Sequence, residues 1–408
     1  MNDYALQANE ILTGDGGRLS PGHVIVRGST IADVASGAYR GDLPCTDLGD
    51  AQLTPGLIDL MLLGGFGKSV SRDNPMEIAR EYLKLGVTAF QFCIGTLDWD
   101  GMAKVAANAK LARAAADDPN YADAARVMGV YLEGPFQHPD FTGASLKEHA
   151  LAPTPENCQR IIKLFGDTLT AINISPGVEG AAAAVRFFVD AGVQVAMAHS
   201  NASADDVLAC IDAGATHLGH AFDNNSGRIG DSGVQQPTLE HVALTDERIR
   251  FIHLIADGTH VDPILIDMMI RCRGLGSLVV ITDGNQRLGS EDGEFIWDDG
   301  RTMSKSKGVC RTAEGWLAGS ATPLPDMYRN LLMFTQADGA DAIQTVTWNP
   351  ARGAGMDDRL GLLRPGYEAD LVAWDPKTMT VKHVWRAGKP VDVISSFAEV
   401  EYVGAAGA

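Results

Sequence analysis

From Thr54 to Ile281 the chain alternates between two arrangements of apolar residues. One is a short, nearly continuous apolar run, as expected of a strand buried on both faces. The other places apolar residues three and four positions apart, as one face of a helix requires. The runs are Thr54 to Gly65, Val87 to Cys93, Val127 to Leu132, Leu169 to Ile174, Val193 to Ala198, Thr216 to Leu218, Ile249 to Ile255 and Leu278 to Ile281. Helical spacing separates them, as in Pro75 to Leu85, Gly101 to Ala116, Pro155 to Phe165 and Ala181 to Ala191. In Ser203 to Ala213, the residues Ala204, Val207, Leu208 and Ile211 are spaced for one buried face, with Ser203 suited to the N-cap and Gly214 to the stop. Eight strands interleaved with helices predict an α/β fold, a closed (β/α)8 TIM-like barrel.

The flanks read differently. Residues 1–53 hold short alternating segments broken by glycine turns, such as His23 to Arg27 and Thr30 to Val34. Residues 284–320 are rich in Gly, Asp, Ser and Thr, and 359–408 return to strand patterns at Leu371 to Trp374 and Thr380 to Trp385. The expected organisation is a barrel core over 54–283, closing helices over 321–358, and a small discontinuous β-sandwich domain. That domain would be assembled from 1–53, 284–320 and 359–408.

Charge and cysteine usage narrow the function. A formal net charge of −19 argues against nucleic acid or an anionic membrane as partner. The six cysteines are scattered without a C-x-x-C pair, and most lie in apolar runs, where they read as small core residues. The segment Met1 to Tyr4 has neither a basic nor an apolar leader region, and no run approaches the ~20 apolar residues of a membrane span. The expectation is a cytoplasmic protein acting on a small molecule.

Candidate chemistry sits where the apolar runs end, because barrel strand ends meet at one mouth. His199 follows Val193 to Ala198, His220 follows Thr216 to Leu218, and Glu133 follows Val130 to Leu132. A single such histidine is more often a satisfied core residue. Two at matching strand ends, with a carboxylate on a third, suit a divalent cation. Zinc fits two nitrogens and one oxygen best, and iron, manganese or cobalt are chemically allowed. Asp283 ends the last run. Water activated for attack must lose a proton and a departing amine must gain one, and one carboxylate at the mouth can do both. Read alone, Asp283 before Gly284 is also a common turn pair. His260 and Arg228 lie on loops facing the same mouth, with a satisfied loop histidine and a solvated arginine as the plainer readings. His217 points away from the mouth and is expected to pack beneath it.

Several segments carry a resemblance. Thr54-Pro55-Gly56-Leu57-Ile58-Asp59, Asn349-Pro350-Ala351-Arg352 and Gly361 to Val372 resemble the amidohydrolase superfamily. Leu132 to Phe136, His199 to Ala202, Gly214 to His220, Ala256 to Val261 and Leu317 to Ser320 look most like its N-acetylglucosamine-6-phosphate deacetylases. The resemblance spans nearly the whole chain. It implies one divalent metal per subunit on Glu133, His199 and His220, with Asp283 as the acid and base. It implies that Arg228 and His260 hold a sugar phosphate across a homodimer interface, and that Leu317, Ala318 and Gly319 line the sugar pocket. Ala144, Ser145, Asp223, Asn224 and Asp257 complete the expected substrate-binding set.

Three positions depart from the family pattern. Met61 and Leu63 stand where many relatives carry metal-binding residues on the first strand, which points to a mononuclear centre. Ser145 stands where a carbonyl-polarising histidine is usual, with His138 and His149 nearby as substitutes. Asp223-Asn224 replaces Asn-Ala beside the substrate phosphate, where a carboxylate suits an amine or hydroxyl better than a dianion. The expected activity is deacetylation of an N-acetylated amino sugar or its 6-phosphate. The alternatives are hydrolysis of another N-acyl or cyclic amide, and a sugar-binding barrel without turnover.

Overall fold

The computed structural model describes residues 3–116, 118, 121–224, 228–229 and 233–394, without the side chains of 228 and 229. Its centre is an eight-stranded parallel sheet. In chain order the barrel strands are β1 (Leu57–Leu62), β2 (Val87–Ile94), β3 (Arg126–Phe136), β4 (Leu169–Ile174), β5 (Gln194–Met197), β6 (His217–Leu218), β7 (Phe251–Ile255) and β8 (Leu278–Ile281). Each pairs with its sequence neighbour, and a parallel bridge from Leu62 to Gly284 joins the ends of the sheet. All residues of β1, β2, β3, β7 and β8 are buried, which is why these runs lack a polar face.

The helix before β6 runs Ala204–Ala213, with a capping box from Ser203 to Asp206 and Gly214 stopping it at φ 113°. Val207, Cys210 and Ile211 form its buried face, whereas Leu208, placed there by spacing, is exposed. It lies one position past Val207, about 100° around the helix from the centre of the stripe. β3 continues past Glu133 to Phe136, which pairs with Ile174 of β4, so the metal candidate lies within a strand and not at its end.

One buried carboxylate stitches the barrel seam. Asp59 on β1 accepts hydrogen bonds from the hydroxyls of Tyr82 and Thr282 and from the backbone N–H of Met61 and Thr282. Burial pushes its carboxyl above the ordinary range, although these four donors pull it back. Asp59→Ala strands two buried hydroxyls, and we expect about 3 kcal/mol lower stability. An unchanged urea midpoint would show that the seam holds without it.

The chain ends form two further sheets. One joins 30–36, 22–27, 4–8 and 45–47, and the other joins 389–391, 380–386, 371–375, 52–55, 10–12 and 18–19. They share a second core containing Leu6, Ile11, Leu53 and Leu371. Gly56 is the pivot from this unit into β1. A Cβ there would lie 2.2 Å from Thr88 Oγ1, so a larger residue would not fit.

Residues 284–320 depart from the expectation that they return to the β domain. They form a four-stranded meander of Gly293–Ile296, Thr302–Ser306, Val309–Arg311 and Leu317–Ser320. Its strands pair with one another, and Ser320 bridges to Gly284 at the barrel mouth. The helices that follow, Leu324–Thr335 and Trp348–Gly353, pack beside β8 and β1. Among the described residues, no helix is long and apolar enough to cross a membrane.

Candidate active site and metal centre

Strand register brings the two histidines together. Met197 of β5 pairs with Leu218 of β6, and His199 and His220 each follow two residues later. Their Nε2 atoms lie 3.0 Å apart. Glu133 Oε1 is 2.8 Å from His199 Nε2 and 3.3 Å from His220 Nε2. All three side chains are nearly or fully buried. The opposite ring nitrogens are held from outside. His199 Nδ1 donates to Phe141 O at 2.7 Å, and His220 Nδ1 donates to Asp223 O at 3.3 Å. That tautomer turns both Nε2 lone pairs inward, onto a carboxylate.

Three lone-pair donors converging in a buried space repel one another unless a positive charge sits between them. Two imidazoles and one carboxylate therefore fit a borderline divalent cation. Without one, protons take its place. Burial works against the His220 imidazolium, but Glu133 outweighs it and raises its pKa to about 10. Burial would push the Glu133 carboxyl up, and the two histidines reverse this and hold it well below the usual range.

Asp283 follows β8 at φ 47°, a left-handed backbone that favours glycine. The turn is held by Ser320 N donating to Asp283 O at 2.9 Å. Gly319 is required beside it, since a Cβ there would lie 2.6 Å from Asp283 O. Burial first, and the Glu133 charge second, raise the Asp283 carboxyl to about 7.

The same cavity is lined by Ala144, Ser145, Asp223, Asn224, His260, Leu317 and Gly319, all expected from the sequence. Two expected residues stand behind it. Asp257 is buried and accepts from His260 Nδ1 at 2.7 Å and from Ser320 Oγ at 2.9 Å. Ala318 is fully buried, with its carbonyl accepting from Asn285 Nδ2. Arg228 lies in a two-residue strand paired with Gln236, and its side chain lies outside the described residues. His217 packs beneath, stacked on Phe251, and burial lowers its pKa to about 4.

Asp223 has two duties here. It lines the cavity, and its Oδ2 lies 3.7 Å from His220 Nδ1. Ser145 Oγ accepts from Thr96 N at 3.2 Å. Neither His138 nor His149 lines this cavity. The sequence reading missed Gly95, Thr142 and Trp297, which also line it. It also missed Cys93, whose Sγ is 3.9 Å from Glu133 Oε2. Cys93 lies at the end of a barrel run, as the other candidates do, and that was its only signal.

A (β/α)8 barrel with this mouth defines a class, and the chain belongs to the amidohydrolase family, which it matches over residues 53–391. It is 33% identical over 352 residues to an N-acetylgalactosamine-6-phosphate deacetylase of Escherichia coli O157:H7, covering 83% of this chain and 88% of that protein. It is 28% identical over 392 residues to the N-acetylglucosamine-6-phosphate deacetylase of Vibrio furnissii, covering 95% of each. Its structure is similar, at a TM-score of 0.86 and 28% identity, to a variant of the Mycobacterium smegmatis N-acetyl-D-glucosamine-6-phosphate deacetylase in complex with N-acetyl-D-glucosamine-6-phosphate. That match covers 97% of this chain and 100% of the other. The resemblance read from the motifs is thus confirmed at the level of family and fold.

Proposed function

We propose that this chain deacetylates an N-acetylated hexosamine 6-phosphate, releasing acetate and the free amine. The observation that carries the reading is the convergence of Glu133, His199 and His220 beside Asp283 at the barrel mouth. The three donors hold one divalent cation, zinc by preference, with iron, manganese or cobalt as substitutes. When bound, that cation supplies Lewis acidity toward the acyl carbonyl and toward water. Asp283 takes the proton from the attacking water and passes it to the departing amine nitrogen. Met61 and Leu63 contribute no ligand from β1. The enzyme works in the cytoplasm as a homodimer, with Arg228 serving the substrate phosphate.

His260 is the phosphate-facing cation of this reading. Burial opposes its charge, and Asp257 outweighs burial to raise its pKa to about 9. With Nδ1 committed to Asp257, Nε2 is its remaining donor. The imidazole is therefore charged at neutral pH and loses that charge as pH rises through about 9. KM for a phosphorylated sugar should rise over the same interval. His260→Gln should raise KM about ten-fold or more, since a hydrogen bond to a charged group contributes roughly 1.5–3 kcal/mol. A KM that stays flat through pH 10 would remove His260 from phosphate binding.

The deciding assay measures acetate and free amine from N-acetylglucosamine-6-phosphate, its galacto isomer and the unphosphorylated sugars, on protein of known metal content. Turnover confined to the phosphorylated sugars supports the proposal. A second reading, hydrolysis of a different N-acyl or cyclic amide, is favoured by Asp223 and Ser145 in the lining. It would take over if a metal-loaded protein turned over none of the four.

A further inference from the structure

Glu133 faces two ways. Oε1 meets the histidine pair, and Oε2 lies on the side of Cys93, 3.9 Å from its Sγ. Asp283 completes that second side. One ligand atom each from Cys93, Glu133 and Asp283 lies within 4.8 Å of the others. Cys93 is fully buried and Asp283 is 8% exposed. Asp283 Oδ2 lies toward Gly319, and Asp283 Oδ1 is buried with no hydrogen-bond partner. A buried, unpartnered carboxylate oxygen beside a second carboxylate and a thiol calls for a compensating charge.

We propose that Cys93, Glu133 and Asp283 form a second divalent-cation site that shares Glu133 with the histidine site. It rests on the reading of Glu133 as a metal ligand given above. Bonds of roughly 2.0 Å to oxygen and 2.3 Å to sulfur, at a tetrahedral angle, set the donors roughly 3.5 Å apart. The Cys93 to Glu133 separation is close to this before any cation draws them in. One sulfur and two oxygens select zinc or cobalt over magnesium. Binding replaces the thiol proton with the cation and releases that proton to solvent. Met61 and Leu63 still offer no ligand. The expectation of a single metal followed from those two positions, and β2 supplies the donor that β1 lacks.

The test is a cobalt(II) titration of chelator-stripped full-length protein, read by metal content and absorption. About two equivalents per chain are expected, the second bringing a near-ultraviolet thiolate-to-cobalt band and a released proton. Cys93→Ser should remove the band and lower the stoichiometry to about one, keeping the visible bands of the histidine site. A wild-type chain that binds one equivalent without a sulfur band overturns the second site and leaves the proposed activity standing. A chain that binds none overturns both. A sulfur band that survives in Cys93→Ser also overturns the assignment. If the serine variant does not fold, the wild-type titration decides alone.

Discussion

Asp283→Asn is expected to lower kcat by about 10²–10⁴-fold while the cation on Glu133, His199 and His220 remains bound. The amide has nearly the shape of the carboxylate and leaves the backbone hydrogen bond from Ser320 N to Asp283 O in place. It cannot accept a proton from water or return one to nitrogen. The loss should therefore fall on kcat, with KM little changed. The pH profile adds a second check. Burial and the Glu133 charge raise Asp283 to about 7 where no cation is bound. A bound cation pulls a neighbouring carboxyl down, because positive charge favours the ionised form. The acid limb of kcat/KM should thus lie below pH 7 in the loaded enzyme, with activity rising as pH rises through it. An Asp283→Asn chain that keeps wild-type turnover would remove this residue from proton transfer and leave the mechanism without its base.

How much of this site the sequence disclosed depends on whether position along a strand was enough. His199 and His220 were legible because each closely follows an apolar run, and β5 to β6 register places them level. Asp283 was legible because it follows the last apolar run, and Gly319 because it lies within Leu317 to Ser320, a segment that resembles a known family. Cys93 was not, because a thiol closing an apolar run has the same composition as core packing. Only the side-chain direction, toward Glu133 Oε2, separates the two. Residues 284–320 misled for a related reason. Short polar strands with glycine turns look alike wherever they pack, and their placement rests on the distant pairing of Ser320 with Gly284. Asp223 was read as facing substrate, and its approach to His220 Nδ1 depends on a turn with Phe222 and Asn224 at positive φ. Nothing in residue order announces that turn.

Stripping the metal with a chelator is expected to abolish turnover and to lower the melting temperature, with both restored by zinc. The geometry gives the reason. Glu133 Oε1 and the two Nε2 atoms sit 2.8–3.3 Å apart, on side chains that are nearly or fully buried. The unfolded chain cannot assemble these three donors, since they come from β3 and from the segments after β5 and β6. A cation therefore binds the native state alone and stabilises it by mass action. At free cation about a thousand-fold above Kd this amounts to ~4 kcal/mol, or a shift of about 5 °C in a chain of this size. Protons shared among the same donors offset part of that loss in the stripped protein, so the shift should grow as pH rises and protons are withdrawn. Turnover has no such substitute, because a proton on His220 or Glu133 offers no open coordination position to an acyl oxygen. Glu133→Gln separates the two effects. It keeps the side-chain volume, weakens the cation site, and should show the stripped enzyme's inactivity with little further loss of stability on chelation. A chelated protein that retained full turnover, with cation undetectable, would end the metal-dependent reading of this barrel.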